Sequence, residues 1–224
     1  MEFISLIQKI FFDGGAWLTI LKGLGVTVQI SFLSVIFGTI LGAVICSFRT
    51  GKIRPLKIFA KFYVAVILGS PVLMLLMLFF YGIFARSNIS PVTVAVITFS
   101  MHTAAHVAEI LRSALMSVDV GQVEAARTLG FSKIQAFKLV TLPQITKISK
   151  PVYQSTIINL IQWTSVVGYV TITDLTRVIN TTAARTMQPM ITIIGGMLIY
   201  LALAYLVRGI FALSDYKKRD GETE

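Results

Sequence analysis

The sequence predicts an all-α integral membrane protein, in which five transmembrane helices run from an external N-terminus to a cytoplasmic C-terminus. Of the 224 residues, 55% are hydrophobic and only 13% carry charge, whereas about a quarter of the residues of an ordinary soluble domain are charged. The mean hydropathy is +0.81. Because a spanning helix uses about 20 mainly apolar residues, a chain of this length holds several spans and little soluble domain. The composition therefore argues against a soluble enzyme.

Five apolar runs are each long enough to cross a bilayer. They occupy residues 24–48, 58–84, 91–111, 152–172 and 190–213. Residues 1–23 hold a shorter apolar run that Asp13, Gly14 and Gly15 interrupt. This segment predicts an interfacial helix that lies flat on the membrane rather than a sixth span.

The cations give the predicted orientation. If all five runs cross the membrane, fifteen of the twenty Lys and Arg residues lie on one side, in the first loop, in the long loop after the third run and around the C-terminus. Lysine and arginine accumulate in cytoplasmic loops, so this side is predicted to be the cytoplasmic one. The same rule accounts for the net charge of +10 without a nucleic-acid partner.

The long loop, at about residues 112–150, is too long for a simple turn and too short for a domain. Two predicted N-caps, Asp119 and Ser132, each precede a glutamine by three residues, which is the spacing of a capping box. Gly130 suits the left-handed residue that closes a helix, and Pro143 should bar further extension. The pattern predicts two short helices below the membrane, and a mere connecting hairpin is the alternative.

The residues of this loop resemble the cytoplasmic EAA loop of bacterial ABC-importer permeases. The family pattern is Glu-Ala-Ala-x-x-x-Gly, then nine residues, then Ile-x-Leu-Pro. The matching positions are Glu124, Ala125, Ala126, Gly130, Leu142 and Pro143, with Val140 in the place of the isoleucine. Residues 25–31, 68–71, 108–112 and 174–177 further resemble the polar amino-acid subfamily, the histidine/glutamine type.

That resemblance implies the type I ABC-importer permease fold over residues 24–214, with a coupling loop at about 117–147 and a cytoplasmic tail at 215–224. It implies four partners: a cytoplasmic ABC ATPase dimer, a second permease that is identical or homologous, an extracytoplasmic substrate-binding protein and membrane lipid. The implied location is the bacterial cytoplasmic membrane. Because the chain lacks a G-x-x-x-x-G-K-[ST] loop, ATP and Mg are assigned to the partner ATPase, and no cofactor is expected in this chain.

Three of the spans hold candidate residues of a substrate pathway. In the second run, Gly69 loosens the helix, Ser70 can cap a new start and Pro71 suits its first position. Amide groups freed after such a break could face the α-carboxylate of an amino acid. A proline kink without a ligand is the alternative.

The third run places His102, His106 and Glu109 on one helical face, and ionisable groups within a span usually face a cavity or the bundle interior. Glu109 matches the resembled family, but the two histidines do not, so they either tune selectivity or hydrogen-bond between helices. Two histidines and a carboxylate could also hold a metal. No metal site is expected, because all three lie on one helix without an evident fourth ligand.

The fourth run supplies Asn159, Gln162, Trp163, Thr164 and Ser165. In the resembled family Lys-Asp-Thr-Ser often occupies the last four positions, and the acid there is associated with the substrate amine. This chain lacks that acid. A neutral or polar substrate is therefore expected rather than arginine or lysine, unless the second permease supplies the acid.

Two other functions fit parts of the pattern. An ABC permease for a peptide or another small solute would share the loop and the spans. A secondary transporter or channel would need no ATPase, but it predicts inverted repeats and paired broken helices, which the sequence does not show. The prediction is the permease subunit of an ATP-driven amino-acid importer.

Overall fold

The computed structural model describes Ile10 and residues 16–220, and all regular structure in this part of the chain is helical. In chain order the helices are α1 (Ala16–Thr50), α2 (Arg54–Gly69), α3 (Val72–Met77), α4 (Pro91–Met116), α5 (Val120–Thr128), α6 (Lys133–Ala136), α7 (Leu142–Trp163), α8 (Leu175–Thr186) and α9 (Pro189–Asp220). Two π-helical segments, Leu78–Ile83 and Phe137–Thr141, and one 3-10 segment, Thr164–Val170, adjoin α3, α6 and α7. The all-helical prediction is confirmed.

Three of the described helices are long and apolar enough to cross a membrane, namely α1, α4 and the part of α9 from Pro189 to Ser214. Helix α2 passes the same test only together with α3 and its π-helical continuation, and this bent pair is either one broken span or a re-entrant loop. The fourth predicted run, residues 152–172, covers most of α7, the 3-10 segment and the two residues after it. Among the described helices, α7 is not one of those long and apolar enough to cross a membrane. The count of five spans and the side of each terminus therefore stay predictions.

The two predicted terminal segments are described only in part. Of the N-terminal segment, residues 16–23 form the first turns of α1, in one helix with the first predicted span. At the other end, α9 continues to Asp220. Apart from Ile10, residues 1–15 lie outside the described residues, as do residues 221–224, so the interfacial helix and the cytoplasmic tail stay predictions.

The described residues divide into two compact units. The first unit comprises the described residues up to Ser34, Pro71–Phe99 and the described residues from Ile157 onward, and the second comprises Val35–Ser70 and Ser100–Thr156. Each unit takes part of α1, which passes from the first to the second after Ser34.

In the first unit, the beginning of α8 is fixed to α1. The buried Asp174 is the N-cap of α8, and its carboxylate accepts hydrogen bonds of 3.0 Å from the backbone N–H groups of Thr176 and Arg177. The N–H of Leu175 donates to Oγ1 of Thr27 in α1 at 3.2 Å. Around this cap a small apolar core forms from Ile20, Leu24, Leu175, Val178, Ile179, Ile199 and Tyr200.

In the second unit, α1 packs closely on α4 through two glycines one helical turn apart. A Cβ atom on Gly38 would lie 2.7 Å from Cβ of Thr103, and one on Gly42 would lie 2.6 Å from Cβ of Val107. Such spacing of small residues lets the backbones of membrane helices approach each other. The hydroxyl of Tyr63 in α2 also bonds to α4, donating to the carbonyl oxygen of Met101 at 2.7 Å.

Candidate functional site

The predicted coupling loop begins with α5. Asp119 is the N-cap of this helix, as predicted, but Gln122 does not complete a capping box, because its Oε1 accepts a hydrogen bond from Gln144. Oδ1 of Asp119 accepts a hydrogen bond from the N–H of Gly121 at 2.8 Å. At the other end Gly130 has a φ of +89°, which is the left-handed conformation that glycine adopts at low cost. The N–H of Phe131 then donates to the carbonyl oxygen of Ala126 at 3.2 Å, so the helix end is closed.

Helix α6 begins with the predicted capping box. The N–H of Gln135 donates to Oγ of Ser132 at 3.2 Å, and the N–H of Ser132 donates to Oε1 of Gln135 at 2.8 Å. The two reciprocal bonds satisfy donors that the first turn of a helix leaves free. Both predicted N-cap residues are therefore confirmed, and the capping box forms at Ser132 but not at Asp119.

The prediction that Pro143 ends this second helix is wrong. The chain passes from α6 through the π-helical turn Phe137–Thr141 directly into α7, where Pro143 is the second residue. In the wider turn the N–H of Leu142 donates to the carbonyl oxygen of Phe137, five residues back. A proline is tolerated in the first turn of a helix because the N–H groups there have no helical partner, and the change of turn places Pro143 at such a start.

The loop is fastened to the helices on either side of it within the second unit. The side chain of Gln144 in α7 donates to Oε1 of Gln122 in α5 at 2.7 Å. Beneath this bond lies an apolar cluster that joins α4, α5 and α7 and consists of Leu111, Ala114, Leu115, Val118, Val123 and Ile145. These contacts join α5 to α4 and α7.

The loop presents apolar side chains outward. Its large exposed apolar residues are Val120, Leu129, Phe131, Ile134, Phe137, Leu139 and Leu142, of which Leu129 is 79% exposed. Five of the six predicted coupling residues are exposed as well, and only Ala126 is buried. Large exposed apolar side chains concentrated in one loop are typical of an interaction site.

The predicted break in the second span is confirmed, but its caps differ from the prediction. Helix α2 ends at Gly69, and Ser70 is extended, with φ −104° and ψ 137°. Oγ of Ser70 donates to the carbonyl oxygen of Val66 at 2.7 Å, so the hydroxyl completes the end of α2 and does not cap the next helix. The N-cap of α3 is Pro71, which contributes no side-chain hydrogen bond, and Val72 is the first helical residue.

The titratable residues of α4 occupy one face, as predicted. The ring of His102 is buried and lies edge-on to that of His106, with 4.9 Å between the ring centroids. Both oxygens of Glu109 are engaged, since Arg49 donates to Oε2 and Nε of Arg112 donates to Oε1 at 3.1 Å. Among the described residues no three His, Cys, Asp or Glu side chains are grouped so that they could hold a metal.

The polar residues of the fourth predicted run lie on different faces. Asn159 and Gln162 are exposed on α7, Trp163 and Ser165 are half-buried, and Thr164 is fully buried with its hydroxyl donating to a carbonyl at 2.7 Å. Gln162 lines a cavity of about 500 Å³ within the first unit. Its other polar neighbours in the cavity are Thr176, Asn180 and Tyr200.

Residues 34–220 match a family described as the binding-protein-dependent transport system inner membrane component. The chain belongs to this family. It is 36% identical over 185 residues to the probable amino-acid ABC transporter permease protein YckA of Bacillus subtilis, with 82% of each chain covered. It is 33% identical over 206 residues to the L-cystine transport system permease protein TcyB of Bacillus subtilis, covering 91% of this chain and 86% of TcyB.

The fold is similar to that of a solved structure of an amino acid ABC transporter with histidines, at a TM-score of 0.80 and 29% identity, covering 89% of this chain and 94% of that one. The chain is therefore a multi-pass inner-membrane permease of an ABC importer, with the type I fold. It is not the ATPase, because ATP hydrolysis belongs to a separate subunit of such importers.

Sequence reasoning missed two features of these sites. The ion pair of Arg49 with Glu109 joins residues that are 60 positions apart, so no local sequence pattern predicts it. Helix α8 was not predicted, although Asp174 followed by twelve residues with an apolar face carries the signal of a capped amphipathic helix.

Proposed function

We propose that this permease imports an amino acid with a neutral or polar side chain, using ATP hydrolysed by a partner ATPase. The similarity to YckA and TcyB supports the amino-acid class. Gln162 and Trp163 support the side-chain class, because they offer polar and aromatic contacts without the fixed anion that a basic side chain requires.

The observation that carries the coupling part of the proposal is the exposed apolar surface of α5 and α6. In our proposal this surface docks in a groove of a cytoplasmic ABC ATPase dimer, which holds the ATP and Mg. Glu124 orients α5, and the exposed Ala125 and Gly130 let the backbones of α5 and the ATPase approach closely. Ala126, which is buried within the second unit, would act by letting α5 pack closely on its own chain. The bond between Gln122 and Gln144 and the cluster under it would convey ATPase closure to α4 and α7.

The substrate site that we propose lies within the first unit, at the start of α3. The first amides of this helix have no acceptor within the helix and no side-chain cap, so they can receive the α-carboxylate of an amino acid. Helix α3 packs against the 3-10 segment Thr164–Val170, and the hydroxyl of Tyr81 secures that segment by donating to the carbonyl oxygen of Tyr169 at 3.0 Å. Asn159 and Gln162 precede the segment on the exposed face of α7.

Two substitutions test the recognition of the side chain. We expect Gln162→Ala and Trp163→Ala each to raise the substrate concentration for half-maximal uptake by about fivefold to tenfold, since each removes an interaction worth about 1 kcal/mol. Uptake is measured in vesicles that contain the whole complex, with Gln188→Ala as the control for loss of an exposed glutamine. If both variants match wild type in apparent affinity and rate, residues 159–165 contribute no recognition.

We further propose five spans with the N-terminus outside, and a second permease, identical or homologous, beside this chain. In a Cys46→Ser background, single cysteines at Lys52 and Lys147 should react only with reagent added from the cytoplasm. A cysteine at Ser87 should react only from outside, because it lies in a loop with one cation while the other two positions lie in cation-rich loops. Labelling of position 87 from the cytoplasm would contradict the five-span orientation.

A further inference from the structure

A recess of about 630 Å³ lies where α1 ends and α2 begins, within the second unit. We call it the basic recess, and it is lined by Thr50, Gly51, Lys52, Arg54, Lys57, Ile58 and Lys61. Its four cationic side chains are exposed. None of the four forms an ion pair with another described residue, whereas Arg49, just before the recess, is paired with Glu109. Positive charge without a protein counter-charge is therefore concentrated in the basic recess.

The basic recess lies at the surface of the membrane, because it is formed by the turn between two membrane segments. Helix α1 is long and apolar enough to cross a bilayer, and α2 begins the bent pair of helices that enters the membrane either as a broken span or as a re-entrant loop. A turn between two such segments lies at the level of the lipid headgroups, whichever side of the membrane it faces. The stretch from Arg49 to Lys61 contains no acidic residue, so an anionic headgroup would meet no repulsion from this stretch.

Exposed apolar side chains border the cations. Ile53 lies in the turn, and Ile58, Phe59 and Phe62 lie on α2, all more than half exposed. A soluble polyanion would leave these side chains in water, whereas a phospholipid offers a phosphate to the cations and acyl chains to the apolar residues. The combination of four cations and four exposed apolar side chains within residues 52–62 favours a lipid over a protein or a nucleic acid.

The start of α2 adds positive potential at the same place. Ile53 is its N-cap and has no side-chain hydrogen bond to the first turn. The N-terminal end of a helix carries partial positive charge from amide groups that lack acceptors. In the basic recess this end lies among the four cations rather than opposite an acidic cap, and it therefore adds to their attraction for a phosphate.

We propose that the basic recess is a binding site for the phosphate headgroup of an anionic phospholipid. The phosphate would lie among Lys52, Arg54, Lys57 and Lys61, and the acyl chains would run beside Phe59 and Phe62. Such a lipid would fix the turn between the first two spans at the membrane surface. The proposal requires only that the chain is a membrane permease, and it is independent of which solute is carried.

The test is a binding titration of the detergent-purified permease complex with short-chain phosphatidylglycerol, followed by microscale thermophoresis. Each lysine near an anionic lipid contributes enough for about a fivefold change in affinity. We therefore expect the triple variant Lys52→Gln, Lys57→Gln, Lys61→Gln to bind at least about tenfold more weakly than wild type. The matching triple lysine-to-arginine variant should retain binding, and it shows that loss in the glutamine variant is not a failure to fold.

The controls identify the ligand and the site. Short-chain phosphatidylcholine and inorganic phosphate should each bind wild type at least about tenfold more weakly than phosphatidylglycerol does. Equal binding of either one would contradict the proposal that the ligand is an anionic lipid. The triple variant Lys22→Gln, Arg86→Gln, Arg185→Gln removes the same charge from exposed positions elsewhere. If it loses as much affinity as the basic-recess variant, or if the basic-recess variant loses none, the basic recess is not the site. Loss of the copurifying ATPase together with unchanged lipid binding would assign the basic recess to a protein contact and contradict the proposal.

Discussion

Valine in place of Gly130 should leave the permease in the membrane but abolish substrate-stimulated ATP hydrolysis by the complex. Gly130 closes α5 with a φ of +89°, and a Cβ atom there would contact nothing within 4 Å, so the cost is one of backbone conformation alone. A β-branched residue in this conformation costs about 1–3 kcal/mol, which corresponds to about a fivefold to 150-fold fall in the ratio of correctly formed to distorted loop. The measurement is ATPase activity of the complex in proteoliposomes with and without the loaded binding protein.

The control for Gly130 is asparagine. Asparagine tolerates the left-handed conformation far better than valine does, and the space around position 130 is open, so Gly130→Asn should keep most of the stimulation. Wild-type stimulation in the valine variant would show that closure of α5 is not needed for coupling.

Valine in place of Gly42 should destabilise the second unit. Its side chain would begin 2.6 Å from Cβ of Val107 and 2.8 Å from the carbonyl oxygen of Ala104, and these α4 atoms are buried beside rigid backbone. Overpacking of this kind costs about 1–3 kcal/mol, which lowers the unfolding midpoint of a chain of this size by about 5 °C. The measurement is thermal unfolding of the detergent-purified complex.

Gly25→Val is the matched control for this prediction. Gly25 lies in the same helix, but a Cβ atom there meets nothing within 4 Å. Gly25→Val should therefore lower the midpoint of thermal unfolding by much less than Gly42→Val does. Equal shifts from the two variants would mean that helix propensity, and not the packing of α1 on α4, accounts for the loss.

The features that were predicted correctly depend on short stretches of sequence. Asp119, Gly130 and Ser132 act within one helical turn of their own position, so capping rules identify them without the rest of the fold. The break after Gly69 was predicted for the same reason. The spans α1 and α4 follow from long apolar runs, which a hydropathy count finds directly.

The features that were missed or wrong depend on register or on distant partners. Pro143 was expected to end a helix because α-helical register was assumed, and the preceding π turn changes that register. Ser70 was expected to cap α3, but its hydroxyl bonds backward to Val66. The spacing of Gly38 and Gly42 indicates that α1 packs closely on another helix, but the sequence alone does not show that this helix is α4.

Among the residues of the predicted substrate pathway, too, local features were predicted correctly and contacts with distant residues were not. Asn159 and Gln162 share an exposed face of α7 because their spacing of three places them together. The surroundings of Glu109 were not predictable, since Arg49 comes from another helix. Arg49 and Arg112 each donate to one carboxylate oxygen of Glu109. The match of Glu109 to the family pattern gives no sign of the partner from α1.

The most direct test of the account is uptake of radiolabelled amino acids by proteoliposomes that contain this permease, its ATPase and its loaded binding protein. We expect a neutral or polar amino acid to accumulate only when ATP is present on the ATPase side, and accumulation to stop when the ATPase cannot hydrolyse ATP. Uptake by the permease alone, driven by an ion gradient without the ATPase, would contradict the account.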